Sequence, residues 1–259
     1  MPMPATTSGI SAKDGTQHAS MGRFVIGVDG CPAGWAAVRL NLFDGGIAAF
    51  ITKNFAGLLR DSGADAAMIM VDMPIGLASE GKRGCEVLAR KLLKPLRHAS
   101  VFSSPRRPML DFETYGEANA WGKRQQAIGV GLSKQAWMIA PKIAEIDAAI
   151  TSADQARLGE GHPEVAFARL NGGTPCAHAK KKPEGRDERR CLLESAGITN
   201  ADALFDALRA EVGAGKVARD DVYDACAMAL TAKARLDGNV IRLSDDARDA
   251  RGLLMEIWG

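Results

Sequence analysis

Two short, continuously apolar runs, each ending in an aspartate, constrain this chain more than any other feature. The first is Phe24-Val25-Ile26-Gly27-Val28-Asp29 and the second is Ala67-Met68-Ile69-Met70-Val71-Asp72. Apolar runs of this length, with no polar alternation, are expected of strands covered on both faces. A glycine-rich turn after Asp29 closes the first run, and Pro74 stops the second. In an open α/β sheet the carboxyl ends of neighbouring strands form the usual site crevice, so both aspartates are expected to converge there.

Residues 34–40 and 46–52 give two further apolar segments separated by Asp44-Gly45-Gly46, so the first strand is expected to open an antiparallel meander. A helix capped by Asn54 follows over 54–61. Helical patterns over 85–96, 114–126 and 135–151, joined by loops rich in Pro, Ser and Gly, predict a helical stretch beside the sheet. After a short segment at 162–167, helices are expected over 186–196 and 201–211. The clearest helix spans 218–235, with Asp220 as its N-cap candidate and Asp221 and Asp224 in its first turns.

Residues three apart on a helix share a face, so Asp221 and Asp224 present two carboxylates together. Packed against the strand ends, they would join Asp29 and Asp72 in one cluster. Like charges that close raise each other's pKa, and divalent cations are the usual remedy. Hard oxygen donors select Mg²⁺ or Mn²⁺, and a pair of such ions about 4 Å apart suits hydrolysis of a phosphodiester. Taken singly, a strand-end aspartate before glycine is a turn residue and an acid at a helix start is a dipole partner. The metal reading rests on their combination and order.

These residues carry a family pattern: Gly27-Val28-Asp29-Gly30-Cys31-Pro32-Ala33-Gly34-Trp35, Val71-Asp72-Met73-Pro74-Ile75-Gly76, His162-Pro163-Glu164 and Asp220-Asp221-Val222-Tyr223-Asp224-Ala225. The likeness also takes in Ser100-Val101-Phe102 with Pro105 and Arg106, and Gly131-Leu132-Ser133-Lys134-Gln135 with Pro141-Lys142-Ile143. The chain resembles, over nearly all its length after Arg23, a widespread bacterial family of uncharacterised proteins predicted to be ribonuclease H-like nucleases. That resemblance implies a mixed five-stranded α/β sheet flanked by helices, with a helical insertion at about residues 80–155. It also implies a more distant likeness to RuvC-type Holliday-junction resolvases, which bind two metal ions. Asp29, Asp72, Asp221 and Asp224 match the metal-binding places, and Glu164 is an additional ligand or a structural acid.

The implied partner is DNA or RNA. Arg106, Arg107, Lys134 and Lys142 are candidates to hold substrate phosphates, with Gln135 beside them and His162 as a general acid or base or a turn residue. The run Lys180-Lys181-Lys182 with Arg186, Arg189 and Arg190 reads as an exposed flexible loop or as a track for a nucleic-acid backbone. Tyr115 and Trp121 would suit a homodimer contact. The competing readings are an inactive binding or regulatory module of the same fold and an actin-like phosphotransferase. The latter needs two domains, more than this chain's length supplies.

Composition sets the remaining limits. The 33 basic and 31 acidic residues of the 259 leave a net charge of +2, so any nucleic-acid surface must come from local clustering. Five scattered cysteines without a C-x-x-C pair fit a reducing compartment, and the cytoplasm is expected. Cys176, His178 and Cys191 match no usual zinc spacing. Residues 1–22 read as a flexible tail with Met21 as an alternative start, and no apolar run suggests a membrane span.

Overall fold

The structure, a computed structural model, describes residues 23–125 and 131–259. The expected tail at 1–22 and the last residue of the helix expected over 114–126 lie outside the described residues.

Strands β1 (Phe24–Cys31), β2 (Gly34–Asn41) and β3 (Ile47–Thr52) form the antiparallel meander. The turn between β1 and β2 requires glycine at Gly34, where φ is +133° and a side chain would meet the Thr52 carbonyl. β4 (Met68–Val71) runs parallel to β1, and β5 (Leu158–Glu160) runs parallel to β4. The sheet order is β3-β2-β1-β4-β5, a five-stranded mixed sheet flanked by helices.

Side chains alternate across each strand, and this alternation sorts the core into two layers. Val25, Val38, Met68 and Met70 face one side, where they pack with Ala225, Met228 and Ala229 of α8 (Arg219–Leu236) and with Phe167 and Phe205. Ile26, Val28, Trp35, Ile69 and Val71 face the other side, against Phe55 and Leu58 of α1 (Phe55–Asp61). Asn54 caps α1, accepting from the Gly57 N–H at 2.7 Å. Each fully buried side chain of this size contributes roughly 1.5–3 kcal/mol.

The helical stretch expected beside the sheet divides in two. α4 (Lys134–Ala149) lays Ile143 and Ile146 on the second face, and its Glu145 accepts from the Trp35 indole at 3.2 Å and from the Phe55 N–H. α4 is therefore part of the main core. α2 (Gly84–Leu92) and α3 (Tyr115–Arg124) stand off the sheet. Cys85 and Ala89 of α2 pack with Val165, Met255 and Ile257, whereas Met109, Ala118, Leu132 and Ala136 form a separate small core around α3. Tyr115 and Trp121, the expected dimer contacts, serve this packing: the Tyr115 hydroxyl donates to the Leu132 carbonyl at 3.0 Å and Trp121 tilts against Phe112.

Three local readings are corrected. The segment at 162–167 is the start of helix α5 (Pro163–Leu170), with Pro163 at its first position and the His162 ring nitrogen accepting from the Glu164 N–H at 3.2 Å. The N-cap of α8 is Ala218 instead of Asp220, because Asp221 reaches back to accept the Ala218 N–H at 2.8 Å. The basic run is not simply an exposed loop. Arg189, on α6 (Pro183–Ser195), is fully buried, donating to Glu164 at 2.5 Å and to the His178 and Gly185 carbonyls.

α7 (Ala201–Val212) precedes α8, and a hairpin of β6 (Arg242–Arg248) and β7 (Leu254–Trp258) ends the chain. All five cysteines are free. No helix among the described residues is long and apolar enough to cross a membrane.

Candidate metal centre

Strand alternation puts Asp29 on the same face as Val25 and Gly27, and Asp72 on the same face as Met68 and Met70; this is the face that α8 covers. The Asp72 N–H donates to the Val28 carbonyl at 2.8 Å, which fixes the two strand ends side by side. α8 reaches them because Gly27 has no side chain. A Cβ there would lie 2.1 Å from both the Ala225 carbonyl oxygen and the Ala229 nitrogen. Backbone thus rests on backbone, and Asp224, one residue before Ala225, is carried to the strand ends.

Carboxylate oxygens of Asp29, Asp72 and Asp224 lie within 4.8 Å of one another. Asp29 and Asp224 are buried, and Asp224 is only 1% exposed. Its Oδ1 has no hydrogen-bond partner, a costly state for a buried carboxylate oxygen. Burial, then the charges of Asp72, Asp224 and Asp221, hold the Asp29 carboxyl well above its usual range. Burial and then Asp224 push Asp72 up to about 8. Asp224 is also raised, by burial, with Lys180 acting against the rise.

Asp221 and Glu164 stand outside this triad. Asp221 spends one oxygen on the Ala218 N–H, and burial followed by Asp220 and Asp224 pushes it up to about 6. Glu164 pairs with Arg189, and its Oε2 is buried without a partner. Its charge reaches Asp72 and Asp224, but its oxygens do not join their group.

A cleft of about 220 Å³ opens onto Asp29 and Asp72, and Gln135, Lys142 and His162 also line it. Lys142 Nζ donates to the Gly34 carbonyl at 2.5 Å and sits 4.3 Å from the centre of the Trp35 ring. Burial drives the His162 imidazole down to about 4, with Asp224 pulling the other way. Arg106 and Lys134 do not line this cleft. Arg106 is buried over the Trp121 ring and lines a neighbouring cavity of about 240 Å³, while Lys134 is exposed at the start of α4. Arg107 is taken up by Asp147 and Asp249.

Two features escaped the sequence reading. Lys180 Nζ lies 2.6 Å from Asp224 Oδ2 and 3.5 Å from Asp220. Burial lowers its pKa, but Asp224 and Asp29 more than offset this, so the ammonium is held charged. A lysine triplet reads as solvated surface, and only the fold of its loop reveals the contact. The second feature is Arg83, buried between Glu160 and Glu86 on the cleft wall. Among the described residues, Cys176 and Cys191 join no group of converging metal ligands.

Residues 27–249 match the model of a family described as protein of unknown function (DUF429). The chain belongs to this family. The matched span contains all three aspartates and Lys180, and all of the residues lining the cleft except Ile257. Neither the curated proteins nor the solved structures contain a match to the chain.

Proposed function

We propose that Asp29, Asp72 and Asp224 bind Mg²⁺ or Mn²⁺ and that the chain is a metal-dependent nuclease of ribonuclease H-like fold that hydrolyses phosphodiester bonds of DNA or RNA. The observation that carries this reading is the convergence of the three carboxylates within 4.8 Å, beside a buried Asp224 oxygen with no partner. An all-oxygen donor set of high negative charge fits a hard divalent cation. The sheet order, with acids at the ends of β1 and β4 and on α8, supports the fold assignment. A bound divalent ion would polarise a phosphoryl oxygen and acidify a coordinated water. A second ion would need a carboxylate beyond the triad; the charges of Asp221, Asp220, Glu160 and Glu164 all reach it, and Asp221 and Glu164 are the two that the sequence pattern marks.

The remaining residues bind and orient. Lys142, fixed over Trp35, gives the cleft wall a positive charge for a phosphate oxygen. Gln135 offers an amide at the same wall. His162 is neutral near pH 7 and engaged with the Glu164 N–H and the Ser100 backbone, so it shapes the wall instead of shuttling protons.

Labelled single-stranded, duplex, hybrid and four-way-junction substrates, incubated with Mn²⁺ or Mg²⁺, test the proposal. We expect metal-dependent cutting of at least one class and a loss of roughly a hundredfold or more in Asp29→Asn and Asp224→Asn. Cutting that survives in both variants, or the absence of cutting on every substrate, would sink it. One observation favours a second reading, a non-catalytic binding module: Lys180 already supplies a cation to Asp224. Calorimetry showing no Mn²⁺ binding at millimolar concentration would select that reading.

A further inference from the structure

We infer that Lys180 is a built-in competitor for the metal position, an internal counter-cation whose ammonium a divalent ion must displace from Asp224. The inference rests on the metal reading of the triad and concerns how its occupancy is controlled.

The contact is selective in its placement. Lys180 reaches Asp224 at 2.6 Å and feels Asp29 and Asp72, whereas it lies farther, at 3.5 Å, from Asp220 on the helix surface. Lys180 holds Oδ2 and leaves Oδ1 without a partner, so a divalent cation arriving at Oδ1 would meet the ammonium across a single carboxylate and draw on the same negative charge. Two cations cannot share Asp224 at close range without mutual repulsion, and the ammonium is the weaker charge.

The loop carrying Lys180 is built so that only the side chain need move. Glu188 accepts the N–H groups of Ala177 and His178 at 2.7 and 3.0 Å, and Arg189 donates to the His178 carbonyl at 3.1 Å. The Lys182 N–H closes a turn on the Ala179 carbonyl at 2.9 Å. Gly185 is packed so tightly on Ala179 that a Cβ would lie 2.1 Å from its carbonyl oxygen. On this fixed base the Lys180 side chain is 37% exposed, while that of Asp224 is 1% exposed. The ammonium can swing to solvent; the carboxylate cannot follow.

The arrangement lets the metal-free protein fold with Asp224 neutralised and sets a threshold metal concentration for the site. Mn²⁺ titration calorimetry on the full chain and on Lys180→Met is the first test. Removing the competitor is expected to tighten Mn²⁺ binding about tenfold or more, with Lys180→Arg staying near wild type. A second measurement needs no variant: labelling with an amine-reactive reagent, read by mass spectrometry, should show Lys180 becoming more reactive when Mn²⁺ is added. Equal Mn²⁺ affinity in wild type and Lys180→Met, or Lys180 reactivity unchanged by bound Mn²⁺, overturns the inference while leaving the metal site standing. Absence of Mn²⁺ binding in both wild type and Lys180→Met overturns the inference together with the metal reading.

Discussion

Arg83, Glu86 and Glu160 bury their charges along the same cleft as Asp29 and Asp72, yet the two groups follow opposite rules. In the first, Arg83 grips both oxygens of Glu160, lies 3.4 Å from Glu86 and donates to the Ile75 carbonyl at 2.9 Å. Glu86 is completed by the Ser104 N–H and hydroxyl, with Arg90 at 3.5 Å. Two arginines answer two glutamates. In the second group three aspartates face one lysine, and an oxygen of Asp224 has no partner. A charge-matched group holds structure together; a group short of positive charge is poised for something from outside.

The largest test of this contrast is Arg83→Met, which leaves Glu160 buried without its partner. Stability should fall by about 3–5 kcal/mol, read from denaturant unfolding. A loss below about 1 kcal/mol would show that the matched group carries no structural weight. Asp72→Asn should move the other way. Removing one of three repelling carboxylates is expected to raise metal-free stability by on the order of 1 kcal/mol while weakening Mn²⁺ binding, and a destabilised variant would break the comparison.

The smallest effect is a pH dependence. Asp72 is raised to about 8 and Asp29 is also raised, so their contribution to stability is fully present below the ordinary carboxyl value and lost as pH rises through the raised one. Glu160, pushed up to about 7 by burial against the pull of Arg83, adds to the same trend. His162 is lowered to about 4, so it opposes only below its ordinary 6.5. The metal-free Tm should therefore fall by about 3 °C or more between roughly pH 6.5 and 9. Saturating Mn²⁺ should shrink the triad's share of that fall. A flat metal-free profile in calorimetry would count against the strained carboxylates.

Much of this architecture was legible in the sequence because the central elements obey strict periodicities. A buried strand is apolar throughout, so β1 and β4 stood out along with the aspartates that end them. α8 stood out through its alanine-rich run. Elements held by tertiary context were not legible. β5 is three residues long, and β6 reads Arg-Leu-Ser-Asp-Asp-Ala-Arg, a composition that suggests loop. The pairing of Arg83 with Glu160 spans 77 positions, and no local pattern encodes it. At the site, Asp29, Asp72 and Asp224 were found by their positions on regular elements. Lys180 was missed because its role depends on how an irregular loop is folded.

The close seating of α8 on Gly27 has one more consequence. The spacing of the backbones that carry Asp29 and Asp224 is set where Gly27 rests on the main chain of α8, and side-chain repacking cannot widen it. If the triad holds a metal as proposed, a fixed aperture would favour the shorter bonds of Mg²⁺ or Mn²⁺, completed by water, over the longer bonds and higher coordination number of Ca²⁺.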